Sequence, residues 1–315
     1  MSKVSEVMVK IDYSVVVPVY NEEGNILELY KRLHKIFEKN SWELIFINDS
    51  SKDKSLEIIK SLSEKDKSVK YLSFSRNFGH QAGLTAGMDY AQGKAIITMD
   101  CDMQDPPEII PEMIRKWNAG NDVVYARRKN RKDNFFKKWT AIGYYKLLDK
   151  FSDVKIPRNV GDYRLVDRQV LDQLKGMKEK ARYLRGMVAW LGFKYDFVDY
   201  DRPDRFSGET GYTITKMMRL AMDGILNFSM FPLKVGLLLG MLSIFSGCLF
   251  LLYMIIDTLR VGIGEYPLYK WLSVGFLIMI GFLFILIWIL GEYIGRIYDE
   301  SKGRPLYVIR ENNIK

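Results

Sequence analysis

Six residues carry the densest chemistry in this chain: Asp100-Cys101-Asp102-Met103-Gln104-Asp105. Alternate residues leaving a β-strand carry their side chains to the same side, so Asp100 and Asp102 can face one cation. Oxygen donors suit a hard divalent ion such as Mg²⁺ or Mn²⁺, which usually also binds substrate phosphates. Two further polar clusters follow apolar runs, Pro18-Val19-Tyr20-Asn21-Glu22-Glu23 and Asn48-Asp49-Ser50-Ser51-Lys52-Asp53. Taken alone, Asp49 or Glu22 reads better as a helix cap than as a ligand. A basic set, Arg127, Arg128, Lys129, Arg131 and Lys132, reads as a solvated run or as an attractor of phosphate. His34 and His80 have no partner at metal-ligand spacing, and no nucleophilic triad is visible. Cys101 and Cys248 make neither a disulfide framework nor a zinc pattern.

The elements that must position these clusters alternate. Tyr13–Val19, Trp42–Ile47, Val69–Phe74, Ala95–Met99 and Asp122–Ala126 are apolar, β-branched runs that predict strands. Between them, Glu23–Asn40, Lys54–Lys65, Ala82–Ala91 and Glu108–Trp117 predict helices, the first with Ile26, Leu29, Leu33, Ile36 and Phe37 on one face. Strand–helix alternation implies a parallel sheet covered on both faces, with ligands bound beyond the carboxyl ends of the strands. The three polar clusters fall at such ends. Residues 150–212 carry no clear pattern.

In order and spacing, VVVPVYNEEGNI, INDSSKD, RNFGHQAGLTAGMDYA and MDCDMQDPPE resemble the family 2 glycosyltransferases, and most closely those that use polyisoprenyl phosphates. The resemblance continues through GDYRLVDRQV, RYLRGMVAWLGF and the tail GEYIGRIYDESKGRPLY. It implies an α/β fold of GT-A, Rossmann-like type, with a mostly parallel sheet, followed by a two-helix transmembrane hairpin. It implies that Pro18, Tyr20, Glu22, Asp49 and Asp100 bind the nucleotide-sugar, and that Asp100, Asp102 and Gln104 hold Mg²⁺ or Mn²⁺. Arg128, Arg131 and Arg205 match basic positions expected near the acceptor phosphate. Asp102 and Asp162 are the expected catalytic residues, Asp102 through the metal and Asp162 by positioning, with a cap or a salt bridge to Arg164 as its alternative. Two departures stand out: Gly211 replaces a family Lys, and Ser50 occupies a family Gly, which suggests a different turn.

A polyprenyl phosphate acceptor changes the chemistry required. A phosphate monoester with a second pKa of about 6 is mostly dianionic at neutral pH and needs no general base. Direct displacement at the anomeric carbon would invert its configuration. UDP-glucose is the first-choice donor and UDP-N-acetylglucosamine the second.

Runs 235–256 and 271–290 carry no charge, and each is long enough to cross a bilayer. Basic residues flank them on the outer sides (Lys216, Arg219, Lys234; Arg296, Lys302, Arg304, Arg310), which places both termini in the cytoplasm. The expected layout is a cytoplasmic catalytic domain over 1–210, an amphipathic juxtamembrane segment over 211–234, and the hairpin with a cytoplasmic tail over 235–315. Segment 135–148 is a second candidate surface helix. The net charge of +9 is then explained by an anionic bacterial plasma membrane rather than by nucleic acid. A homo-oligomer is expected from the resemblance. The competing readings are a processive polysaccharide synthase, against which no Q-x-x-R-W motif is found, and a non-catalytic nucleotide-sugar-binding membrane protein.

Overall fold

The computed structural model describes residues 11–129, 157, 159–201 and 268–314, with scattered positions between 241 and 260. One eight-stranded sheet organises it, in the order β7-β5-β6-β4-β1-β2-β3-β8. The strands are β1 Tyr13–Val19, β2 Trp42–Asn48, β3 Val69–Phe74, β4 Ala95–Thr98, β5 Val123–Arg128, β6 Val160–Asp167, β7 Tyr195–Tyr200 and β8 Ile309–Asn312. The helices are α1 Ile26–Phe37, α2 Ser55–Lys65, α3 His80–Tyr90, α4 Ile110–Asn118, α5 Arg168–Gly176, α6 Leu184–Trp190 and α7 Leu268–Ser301.

The β-branched strands are buried on both faces, as a sheet between two helical layers requires. Val15, Val17, Leu44 and Phe46 join one core with Ile26, Leu29, Leu33 and Phe37 of α1, Ile59 of α2 and Met113 of α4. The alternate residues Val16, Ile45 and Ile47 join a second core with Leu84 and Met88 of α3, Leu171 of α5 and Met187 of α6. The period of two along each strand therefore assigns the helices to their faces.

Strands β3, β2, β1 and β4 pair in parallel, as the alternating pattern predicts. Beyond β4 the parallel order is broken by β6, while β5 and β7 pair in parallel with each other. β6 inserts antiparallel between β4 and β5, with Ile96 opposite Val166 and Val124 opposite Leu165. It comes from the stretch the sequence pattern left open.

Two glycines seat α3 against the sheet. A Cβ at Gly87 would lie 2.3 Å from Val16 Cγ1 and 2.6 Å from Ile47 Cδ1, and one at Gly83 3.2 Å from Pro18 Cβ. This close approach brings α3 down onto β1 and β2 near their carboxyl ends.

The second predicted span lies within α7, a 34-residue helix. Phe276, Met279, Leu283, Phe284, Ile287 and Trp288 on it are exposed. Among the described residues, no helix is long and apolar enough to cross a membrane, so the expected two-helix hairpin is not seen. The first span is described only at scattered positions, and segments 135–148 and 211–234 lie outside the described residues. After α7 the chain returns to the sheet, where β8 pairs antiparallel with the edge of β3.

Candidate active site

The ends of β1 and β2 are stitched into one rim. Asn21, Glu22 and Glu23 donate their backbone N–H groups to Ser51 Oγ (3.0 Å), Ser55 Oγ (3.0 Å) and Asp53 Oδ2 (3.1 Å). In return Lys52 N donates to Asn21 Oδ1 (2.8 Å) and Lys54 N to Glu23 Oε2 (2.9 Å). Tyr20 stands exposed on this rim, and Glu22 accepts from Asn25 Nδ2. Asn21, Ser50 and Met103 all take positive φ, of 57°, 59° and 62°. A side chain in that region is strained, and here one such residue follows each of β1, β2 and β4. Ser50, where the family has glycine, thus adopts a left-handed conformation that glycine takes without strain.

Asp49 is placed differently from a simple nucleotide ligand. Its Oδ1 accepts from Phe78 N (2.7 Å) and its Oδ2 from Gly79 N (2.9 Å). Burial raises its carboxyl, and these two backbone bonds oppose the rise. Its contribution is to fix the loop at 77–79, where Gly79 has φ of +94°, and through it the start of α3.

Beyond β4, Asp102 is buried and its Oδ1 accepts from Gln104 N at 3.1 Å. Asp100 Oδ1 is buried with no hydrogen-bond partner among the described residues, and lies 3.5 Å from His80 Nε2. Asp100 N donates to Asp105 Oδ2 (3.3 Å), while Asp105 Oδ1 accepts from Tyr200 Oη (2.8 Å). Burial, and next the charge of Asp100, push Asp105 up to about 7. Burial likewise raises Asp100, with His80 opposing and Asp102 adding to the rise. A buried carboxylate oxygen that makes no hydrogen bond, beside a second carboxylate, fits a divalent cation, which would favour the ionised form of Asp100. No group of three His, Cys, Asp or Glu side chains that could hold a metal occurs among the described residues. Two carboxylates completed by substrate phosphates is nonetheless an ordinary arrangement for Mg²⁺.

Across the crevice from the β1–β2 rim, Asp162 on β6 collects cations. Its Oδ1 accepts from Arg164 Nη2 (2.7 Å) and its Oδ2 from Arg185 Nη2 (3.0 Å), with Arg185 Nε also on Oδ1 (3.2 Å). Gln81 Nε2 donates to the same carboxylate at 3.3 Å, and His80 Nε2 lies 3.6 Å away. Burial opposes its charge, but Arg185, His80 and Arg164 hold Asp162 well below the usual carboxylate range. It is saturated with donors and permanently ionised, so it positions its neighbours and is no proton acceptor. For His80, desolvation opposes the charge, but Asp100 and Asp162 outweigh it and raise the imidazole to about 9.

Arg128, at the end of β5, donates through Nε to Tyr200 Oη (3.2 Å). Its Nη2 would sit 3.3 Å from a Cβ at Gly161, so the glycine of GDYRLVD leaves it room. Arg131 and Arg205 lie outside the described residues.

The site thus gathers Asp100, Asp102, Asp162 and Arg128, with Tyr20, Glu22 and Asp49 on the opposite rim. Sequence spacing missed His80 and Arg185 as members. Arg185 sits in the recognised stretch RYLRGMVAWLGF, but no residue near it in the chain points to Asp162.

Residues 14–175 match the family described as Glycosyl transferase family 2. The chain belongs to this family.

Its relatives extend the match over the whole chain. This glycosyltransferase is 49% identical to the uncharacterized glycosyltransferase YkcC of Bacillus subtilis, over 96% of this chain and 94% of that one. It is 43% identical to the bactoprenol glucosyl transferase of Shigella phage SfV, over 96% of this chain and 99% of that one. The prophage bactoprenol glucosyl transferase homolog of Escherichia coli is also 43% identical, over 94% of this chain and 98% of that one. Glucosyl-3-phosphoglycerate synthase from Mycobacterium tuberculosis, solved in complex with Mn²⁺, uridine-diphosphate-glucose and phosphoglyceric acid, covers 67% of this chain and 76% of its own at 15% identity and TM-score 0.47. At that distance, donor and metal must be argued from the residues of this glycosyltransferase itself. Its catalytic domain has the GT-A, Rossmann-like α/β arrangement with a mostly parallel sheet.

Proposed function

We propose that this glycosyltransferase moves a sugar from a nucleotide-sugar, UDP-glucose by preference, onto undecaprenyl phosphate at the cytoplasmic face of a bacterial membrane. The observation that carries the reading is the division of the crevice. Asp100 and Asp102 stand at the end of the central strand β4. The β1–β2 rim lies to one side of them, and a cationic flank of Arg128 and Arg185 lies to the other. A nucleotide fits the rim, its diphosphate fits the carboxylates through a cation, and an anionic nucleophile fits the arginines.

Asp100 and Asp102, with Gln104, would hold Mg²⁺ or Mn²⁺. Such an ion neutralises charge that develops on a departing nucleoside diphosphate. The protein's own part is to orient. Asp162 fixes its cations in place, Arg128 is braced by Tyr200, and the strained turns hold the rim. Because a phosphate acceptor is already ionised, no general base is needed. That agrees with Asp162 having every oxygen engaged.

The names of the relatives from Shigella phage SfV and Escherichia coli support a bactoprenol acceptor. The exposed apolar side chains of α7 support a membrane location, since a stripe of Phe, Leu, Ile and Trp of this length is costly in water. The test is transfer of labelled sugar by the detergent-purified protein to undecaprenyl phosphate, with a panel of nucleotide-sugars and Mg²⁺ or Mn²⁺. One labelled lipid from one donor, absent with Asp102→Asn and without lipid, is the expected result. Nucleotide-sugar binding without any lipid product would overturn the reading in favour of a non-catalytic role.

A further inference from the structure

We propose that Arg185 is an acceptor-binding residue, whose guanidinium contacts the lipid phosphate while Asp162 holds it in position. The inference rests on the reaction proposed above and names a contact that the recognised motifs do not assign.

Three observations carry it. First, Asp162 is shared by two arginines of different character. Arg164 is only 4% exposed and turns inward, giving Nη1 to Leu184 O (3.2 Å) and Nη2 to Asp162 Oδ1 (2.7 Å). Arg164 is thereby committed to the interior, which leaves Arg185 as the solvent-facing arginine of the two. Second, Arg185 is 24% exposed and grips Asp162 with Nε and Nη2 together. That two-point grip fixes the plane of the guanidinium, which is how an arginine is prepared for a tetrahedral or planar anion.

Third, the position of Arg185 in the fold separates donor from acceptor. It stands on the β6 side of Asp100, away from the β1–β2 rim, and shares that side with Arg128. The loop leading into α6 is tied to the end of the apolar helix α7. Lys180 N donates to Glu300 Oε1 (2.6 Å), and Lys180 Nζ to Asp299 O (2.5 Å) and Glu300 O (3.2 Å). Five residues separate that tie from Arg185. A phosphate carried on a lipid beside α7 therefore reaches this flank first. Electrostatic influence of Arg185 on both Asp100 and Arg128 agrees with a place between the metal-side carboxylate and the second arginine.

The test uses the full chain in detergent with undecaprenyl phosphate, and compares the parent enzyme with Arg185→Lys and Arg185→Gln. Three quantities are read: KM for the lipid phosphate, KM for the nucleotide-sugar, and UDP affinity by calorimetry. Arg185→Gln should raise the lipid KM by roughly ten- to a hundredfold, the loss expected for a charged hydrogen-bonding pair. Arg185→Lys should fall between, because it keeps the charge and loses the fork. Donor KM and UDP affinity should stay within about twofold. An unchanged lipid KM would overturn the proposal, and so would a parallel loss of UDP affinity, which would assign Arg185 to the donor diphosphate. Thermal unfolding is followed in parallel; should Arg185→Gln not fold, Arg185→Lys decides by the same readings. If the parent enzyme makes no lipid-linked sugar, the function proposed above fails, and that outcome is distinct from an active parent with indifferent variants.

Discussion

At the scale of single residues, the site depends on carboxylates kept in two different states. Asp162 is ionised by its arginines, whereas Asp100 and Asp105 are pushed upward by burial and by neighbouring carboxylates. His80 opposes the rise at Asp100 and Arg128 the rise at Asp105, and a cation held by Asp100 and Asp102 would relieve it further. Asp102→Asn should therefore lower transfer by about a hundredfold or more, the scale seen when a charge-stabilising group is lost. Steady-state rates at saturating Mg²⁺ check this, and raising Mg²⁺ should not restore them. Ser50 makes a second case. Its φ of 59° costs a serine about 1 kcal/mol that a glycine does not bear. Ser50→Gly should raise stability by about 0.5 kcal/mol, the remainder being offset by the greater chain entropy of glycine. A fall in the thermal midpoint would contradict the strain argument.

At the scale of elements, the edge opposite the site is held by a buried charge. Glu43 on β2 is 1% exposed and accepts from Ser14 Oγ (2.5 Å), Gln92 N (2.7 Å) and Lys70 Nζ (2.5 Å). Lys70→Ala leaves that carboxylate buried with its charge unbalanced, and should cost about 3 kcal/mol. Denaturation by urea measures it, and a loss below about 0.5 kcal/mol, the level of an ordinary surface change, would show that the Lys70–Glu43 pair does not hold this end of the sheet. The first four strands were legible because each is a short β-branched run followed by a polar turn. The placement of β6 was not, because its residues pair with β4 and β5 only through the topology. The same holds within the site. Asp100 and Asp102 are two residues apart and visible as a pair. His80 meets Asp162 across 82 positions of chain, and Arg185 meets it across 23, so only the packed sheet brings them together.

At the scale of the whole molecule, the C-terminal strand ties the apolar helix to the catalytic sheet. β8 covers the β3 edge, Asn313 Oδ1 accepts from Tyr71 N (2.7 Å), and Lys60 pairs with Glu311 at 2.7 Å. Tyr307 stacks on Phe74 with centroids 5.3 Å apart and donates to Asp89 Oδ2 (2.9 Å). Deleting 307–314 should lower the melting midpoint of the purified protein by several degrees and promote association through the bared edge. Light scattering and a thermal melt test both. The arrangement also sets an order of events during synthesis. Strand β3 leaves the ribosome early, whereas its partner β8 follows it only after the whole apolar region. The nascent chain thus carries an unfinished sheet throughout that interval, and its final strand can add only after the apolar region has been released. A lesion that removes β8 therefore leaves the β3 edge uncovered even though every catalytic strand has been made.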